Sequence, residues 1–181
     1  ITSNGGGASA AISVAENATL VTTVAATDAD LPGQTLTYSI SGGADAAKFT
    51  IDANTGVLSF LTAPDYEVPT DAGTDNVYDV IVQVSDGSLT DTQAISVTVT
   101  PVNDNAPVIT SNGGGASATI SVAENAAAVT TVTATDADLP AQTLTYSISG
   151  GADAAMFSST AGRRAGRVLA AAGSSARTAA N

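Results

Sequence analysis

The chain repeats itself at a distance of 108 residues, and this repeat is the feature that most constrains its fold. Residues 1–49 match residues 109–157 at 43 of 49 positions. Solenoid repeats have periods of about 20 to 50 residues, so a period this long is the size of a whole small domain. The sequence therefore predicts two tandem copies of one domain, of which the second is truncated.

The limits of the match divide the chain into four segments. We predict a first repeat over residues 1–101, a linker over 102–108, the N-terminal half of a second repeat over 109–157, and a tail over 158–181. The tail holds all four arginines of the chain and none of its 17 acids. A change this abrupt in mid-domain favours a shifted reading frame or a truncated gene model, so we predict a tail that is either disordered or frame-shifted. The alternative is a genuine basic, Ala-rich tail.

Within one copy, the hydrophobic pattern is that of short β-strands. The stretch "TLTYSIS" places Leu36, Tyr38 and Ile40 on one face, and "KFTIDANTGVLSF" reads as a hairpin around residues 54–56. About seven such strands, separated by Gly, Asp and Pro turns, are typical of an antiparallel β-sandwich. We therefore predict an all-β chain. The expected core residues are Tyr38, Phe49, Phe60, Ile81 and Val97.

The composition excludes several classes of function. A formal net charge of −12 disfavours nucleic acid as a partner, because phosphates would be repelled. The chain has no Cys and no His, which excludes soft-metal sites such as structural zinc but leaves hard cations with oxygen ligands open. Without His, Cys or a serine paired with a base, we predict that the chain is not an enzyme. No apolar run approaches the roughly 20 residues of a membrane span.

Side chains that carry ligand oxygens fall into short clusters. Where two carboxylates flank one residue of a strand, as in Asp28-Ala29-Asp30, the period of two places both on one face. Charges about 4 Å apart repel by roughly 4 kcal/mol at an effective dielectric of 20, and a divalent cation between them reverses the sign. The alternative is that each Asp only caps a turn. The clusters are Glu16-Asn17, Asp28 with Asp30, Asp65 with Glu67, Asp86, and Asn103-Asp104-Asn105, and the second copy repeats Glu124, Asp136 and Asp138.

The order of these motifs resembles the cadherin repeat, in the form found in large bacterial surface proteins. The motifs that carry the resemblance are, in order, "AEN", "TDADLPGQTLTYSI", "DYE", "VYDVIVQVSDG" and "VNDNAP". The resemblance covers residues 1–157. It implies tandem antiparallel Greek-key β-sandwiches of the cadherin and immunoglobulin type. It also implies three calcium ions in the joint between consecutive repeats.

The resemblance assigns a role to each acidic cluster. Two ions would be held by Glu16, Asp65, Glu67 and Asp104, with Asp138 reaching in from the second copy. The third would be held by Asn103, Asn105, Asp136 and Asp138. At a joint with a preceding repeat, the ions would be bound by Asp28, Asp30 and Asp86. At a joint with a following repeat, Glu124 would be a ligand. The chain departs from the family pattern at Pro101, where an acid is frequent, and at Gln34 and Gln142, where Asn is usual.

The function implied by the resemblance is that of a calcium-rigidified extracellular repeat of a cell-surface adhesion protein. Its partners would be calcium, neighbouring repeats, and other cell-surface proteins or glycans. We expect the chain to be a piece of a longer protein that is secreted or membrane-anchored. The alternative is a carbohydrate-binding or protein-binding sandwich. Sugar binding needs exposed aromatic residues, and Tyr66 is the only one that we expect to be free.

Overall fold

The computed structural model describes residues 1–160 and 166–170, and the chain divides into two compact units. The first unit is Ile1–Asn103 and the second is Asp104–Asn181. The division falls within the segment 102–108 that the sequence predicts to be a linker.

The first unit is a sandwich of two β-sheets. One sheet has the strand order β1-β7-β6-β3, and the other has the order β2-β5-β4. The predictions of an all-β chain and of a seven-stranded sandwich are confirmed for this unit. The strands are β1 (Ser9–Ala15), β2 (Leu20–Thr23), β3 (Thr37–Gly42), β4 (Phe49–Ile51), β5 (Val57–Phe60), β6 (Val77–Ser85) and β7 (Thr90–Thr100).

One strand pair departs from the predicted antiparallel arrangement. Strands β1 and β7 pair in parallel, with Ala15 opposite Thr100, whereas the other pairs of the unit are antiparallel. Both strands therefore run towards the same end of the sandwich. The consequence is that Glu16 and the start of the linker leave the sheet side by side.

The core of the first unit contains a cluster of three aromatic rings. Phe49 and Phe60 stack with ring centroids 4.6 Å apart, and Tyr78 meets both rings edge-on. Phe49, Phe60 and Val97 are buried as predicted, and Tyr38 is half-buried against the same core. The prediction of Ile81 as a core residue is wrong, because its side chain is 36% exposed.

The error at Ile81 has a physical cause in the run Val80-Ile81-Val82. Three successive aliphatic residues satisfy either phase of a period of two, so the pattern alone does not fix the inward face. The structure turns Tyr78, Val80, Val82 and Val84 inwards. Contact between the Tyr78 ring and the two phenylalanines selects this register.

The second unit reproduces one sheet of the first. Its strands β9, β12 and β11 pair in the order β11-β12-β9, as β4-β5-β2 do in the first unit, and β8 pairs with β10. The tail thus supplies a strand at the position of β5, while residues 161–165 and 171–181 lie outside the described residues. The origin of the tail stays a prediction. The strands are β8 (Val108–Ile109), β9 (Ala128–Val132), β10 (Ala134–Thr135), β11 (Phe157–Thr160) and β12 (Gly166–Ala170).

The helical content of the described residues consists of short 3-10 turns at Ala46–Lys48, Ser111–Gly113 and Ala154–Met156. None of them has the length or apolar character needed to cross a bilayer.

Candidate metal sites

The first acidic cluster lies where β1 ends. Glu16 follows the last residue of β1, and its carboxylate is buried. Its Oε2 accepts a hydrogen bond from the Tyr66 backbone N–H at 2.8 Å, and its Oε1 accepts one from the Val102 N–H at 2.6 Å. Glu16 therefore ties the segment around Tyr66 and the start of the linker to the end of β1.

Asp65 and Glu67 complete this cluster. The Asp65 Oδ1 atom accepts the backbone N–H groups of Glu67 at 3.0 Å and of Val68 at 3.1 Å, which closes a tight turn. Glu16, Asp65 and Glu67 each place a carboxylate oxygen within 4.8 Å of the other two. Two oxygens that both ligate one calcium ion at about 2.4 Å are at most about 4.8 Å apart. The donor set and its spacing therefore fit calcium, as the sequence predicts.

The second cluster brings together Asp28, Asp30 and Asp86, whose carboxylate oxygens also lie within 4.8 Å of one another. The expectation that Asp28 and Asp30 share the face of a strand is wrong, because β2 ends at Thr23. A turn brings them together instead, in which Asp28 Oδ1 accepts the Asp30 N–H at 2.9 Å. Asp86 lies in the turn after β6, where the backbone N–H groups of Leu89 and Ser88 hold the pKa of its carboxyl below the usual range.

These two clusters lie at opposite ends of the first unit. Asp86 precedes β7, whose first residue Thr90 pairs with Ser85, and Glu16 lies beside its last residue Thr100. Strand β7 has 11 residues, which corresponds to about 35 Å at roughly 3.3 Å per residue. The two clusters are therefore separate sites.

The third cluster belongs to the second unit and is centred on Asp138, which is almost fully buried. Its Oδ1 accepts hydrogen bonds from the Asn105 backbone N–H at 3.0 Å and side-chain amide at 2.9 Å, and its Oδ2 accepts one from Gln142 at 3.1 Å. Asp104 places a carboxylate oxygen within 4.8 Å of one on Asp138. Burial acts to raise the pKa of Asp138, but the hydrogen bonds from Asn105 and Asp104 outweigh it and lower that pKa.

Three of the predicted ligands, Asp136, Asn103 and Glu124, do not belong to any of the three acidic clusters. The Asp136 Oδ1 atom accepts a hydrogen bond from the Asp138 backbone N–H at 3.2 Å, so Asp136 fixes the backbone conformation at Asp138. Asn103 is exposed at the end of the first unit, and Glu124 is exposed in the second. At the start of the linker, the Val102 backbone N–H is the group that contacts Glu16.

Sequence reasoning missed two buried acids of the first unit, Asp45 and Asp71. Asp45 accepts the backbone N–H groups of Ala72 at 2.7 Å and Asp79 at 2.9 Å, and Asp71 accepts those of Asp75 and Asn76. Each carboxylate satisfies the backbone of a loop beside β6, so both anchor the fold. The signal in the sequence is only that Asp recurs in "GGAD" and "TDAGTDN", which is also typical of solvated turns.

The aromatic residue predicted to be free is not free. Tyr66 is half-buried, and its ring packs against the core of the first unit. The structure thus offers no exposed aromatic platform at the position on which the carbohydrate-binding alternative depends.

Comparison with known proteins gives a consistent result. The family model "Cadherin domain" matches residues 10–100. Human protocadherin Fat 1 is 35% identical over 129 residues, or 67% of this chain and 3% of that protein. Rabbit (Oryctolagus cuniculus) cadherin-16 is 33% identical over 132 residues, or 67% of this chain and 15% of that protein. The chain thus spans only a small part of each of these relatives.

Solved structures share the fold. The human desmocollin-1 ectodomain superposes with a TM-score of 0.62 at 24% sequence identity, covering 91% of this chain and 33% of the other. Cadherin domains are non-enzymatic adhesion modules, so the family match confirms that the chain is not an enzyme. The strand order, the acidic motifs and the match over residues 10–100 lead to one conclusion: the chain belongs to the cadherin domain family.

Proposed function

We propose that the chain is a calcium-binding repeat module of an extracellular, cell-surface adhesion protein, and that calcium stiffens its linker. The observation that carries this proposal is the convergence of Glu16, Asp65 and Glu67 at the end of the first unit. All three offer hard carboxylate oxygens, which is the ligand type that calcium prefers. Glu16 already contacts the linker through the Val102 N–H.

The linker also carries part of the third cluster. The Val102 backbone N–H donates a hydrogen bond to Glu16 in the first unit, whereas Asp104 and Asn105 contact Asp138 in the second. Only Asn103 separates these two attachments in the sequence. Bound calcium would supply the positive charge that offsets repulsion among these acids, which otherwise favours a mobile linker.

The proposed ligand sets follow from these clusters and from the family pattern. Glu16, Asp65, Glu67 and Asp104, with Asp138, would hold two ions, and Asn103, Asn105, Asp136 and Asp138 would complete a third. Asp28, Asp30 and Asp86 would act in the same way at a joint with a preceding repeat. The partners would be neighbouring repeats and other cell-surface proteins, to which a stiffened row of modules presents a binding surface.

Isothermal titration calorimetry of the full chain with calcium tests this proposal. Extracellular calcium modules bind at about 10⁻⁴ to 10⁻³ M, so we expect saturation in the millimolar range. Glu67→Gln should weaken binding at least about tenfold, since it removes one ligand charge from a site whose affinity depends on charge count.

Asp153→Asn is the matched control, because Asp153 is an exposed acid outside the three clusters. It should leave calcium binding unchanged. Absence of saturable binding, or equal losses in the two variants, would refute the proposal.

A further inference from the structure

The first unit contains a cavity of about 500 Å³ beside the loop of residues 61–70, and we call it the loop cavity. Its volume lies within the range of about 300 to 1,000 Å³ that is usual for small-molecule sites. The buried residues Phe60 and Tyr78 line it, together with Leu61 and Val68, whose side chains are 63% and 62% exposed. The lining is therefore mainly apolar, and two large aliphatic side chains are accessible in it.

Hydrogen bonds at both ends of the loop fix the wall of the loop cavity. At one end, the Leu61 backbone N–H donates to the Lys48 carbonyl at 2.8 Å. At the other end, the Thr70 backbone N–H donates to the Tyr78 hydroxyl at 3.2 Å. Phe60 and Tyr78 also pack edge-on in the aromatic cluster of the core. The cavity is therefore formed in the free protein, so that a ligand would not have to order its wall.

Lys48 gives the loop cavity a positive charge. It lines the cavity, its side chain is exposed, and it is the single basic side chain of residues 1–160, which carry 17 acids. Despite this excess of acids, no carboxylate of these residues forms an ion pair with it. An unpaired ammonium group beside an apolar cavity is complementary to an anion that carries an apolar body.

The charge of Lys48 is not needed for the local fold. Met156 occupies the same position of the repeat, and both residues end a 3-10 turn. The two turns are alike, since the residues before Ala46–Lys48 and Ala154–Met156 have φ angles of −110° and −109°. The positive charge is therefore available to a ligand, and Lys48→Met is a substitution that this turn accommodates.

We propose that the loop cavity binds a small organic acid, with an apolar body and one carboxylate or sulfonate group. The apolar body would contact Leu61 and Val68, and the anionic group would lie beside the Lys48 ammonium. A single negative charge fits better than two, because Asp65 also lines the cavity and would repel a second anionic group. This binding site is separate from the proposed calcium function and does not depend on it.

Fluorescence titration of the full chain with two matched dyes, in the presence of a chelator, tests this proposal. Anilinonaphthalene sulfonate is an apolar monoanion, and phenylnaphthylamine is its neutral analogue without the sulfonate group. Lys48→Met should weaken binding of the sulfonate by about fivefold, the upper range for an exposed ion pair, and leave binding of the neutral dye unchanged. Lys48→Arg keeps the charge and should bind both dyes as the wild type does. Absence of saturable sulfonate binding, or equal effects of Lys48→Met on the two dyes, would overturn the proposal.

Two further measurements locate the bound dye. In methyl NMR spectra, the sulfonate should shift the signals of Leu61 and Val68. Leu61→Ser should weaken binding of both dyes, since it removes part of the apolar lining. Leu89→Ser is the matched control, because Leu89 is 69% exposed and lies in the turn after β6, outside the loop cavity. Shifts confined to other methyl groups, or equal losses in the two leucine variants, would overturn the proposal.

Discussion

Glu16 and Glu124 occupy the same position of the repeat but have different surroundings. Glu16 is buried and accepts the Tyr66 and Val102 N–H groups, whereas Glu124 is exposed. The segments that supply these donors in the first copy lie 50 and 86 residues further along the chain. The role of this carboxylate in the fold therefore depends on distant backbone and not on its own motif.

Replacing Glu16 should destabilise the first unit even without calcium. Glu16→Ala leaves two backbone N–H groups without their acceptor, so we expect a loss of about 1 to 3 kcal/mol in free energy of unfolding. Glu124→Ala should change the stability by less than about 0.5 kcal/mol, as is usual for an exposed position. Urea unfolding of both variants in the presence of a chelator measures the difference, and similar effects of the two variants would contradict this account.

Protonation of Asp71 should account for part of the pH dependence of the free energy of unfolding. Burial acts to raise the pKa of its carboxyl, but the N–H groups of Asp75 and Asn76 lower it overall. A carboxyl with a lowered pKa binds fewer protons when folded, so its contribution is present above the usual pKa of about 3.9 and is lost as the pH falls through the folded value.

Asp71→Asn should therefore lower the stability at neutral pH by about 1 to 3 kcal/mol, because an amide nitrogen then faces a backbone donor. The variant should also lose less stability than the wild type on acidification below about pH 4. Urea unfolding at a series of pH values tests this. Parallel curves for the wild type and the variant would contradict it, and the exposed Asp153→Asn serves as control.

At the scale of elements, nearly identical segments adopt different structures. Ser9–Ala15 and Thr37–Gly42 are strands, whereas residues 117–123 and 145–150 are not. A strand needs a partner, and here the partners β7 and β6 come from a distant part of the chain. Strand propensity is thus necessary for these elements but not sufficient.

Hydrogen exchange of the chain alone should distinguish the two copies. Amides paired between β1 and β7 should exchange at least about a hundredfold more slowly than their counterparts in residues 117–123, because opening them requires disruption of the first unit. The shared sequence controls for intrinsic exchange rates. Equal protection of the two segments would show that the second copy completes its sheet in another way.

Much of the first unit was predictable, for reasons that the structure makes clear. The hairpin at residues 49–60 and the burial of Phe49, Phe60 and Val97 follow from alternating patterns and a local turn. The exposure of Ile81 and the parallel pairing of β1 with β7 were not predictable, because both depend on contacts between distant residues. The acidic clusters could be identified from the order of the motifs. The turn at Asp28 and the backbone donors to Glu16 could not be predicted from the sequence and are seen only in the structure.

At the scale of the whole molecule, nearly half of the acidic side chains lie in the three acidic clusters. The described residues 1–160 carry all 17 acids of the chain and Lys48 as their single basic side chain. Eight of these acids belong to the three clusters, at the two ends of the first unit and at the start of the second. In the absence of a cation, the carboxylates within each cluster repel one another. We therefore expect calcium to affect the rigidity of the linker more than the stability of either core.

The central claim is that the oxygens of Glu16, Asp65 and Glu67 converge on one divalent cation, and terbium luminescence tests it most directly. Terbium replaces calcium at oxygen sites and emits when a nearby tyrosine is excited, and Tyr66 lies between Asp65 and Glu67 in the sequence. We predict sensitised emission from the full chain that excess calcium displaces and that Tyr66→Phe largely removes. The absence of emission, or emission unaffected by calcium and by Tyr66→Phe, would contradict the claim.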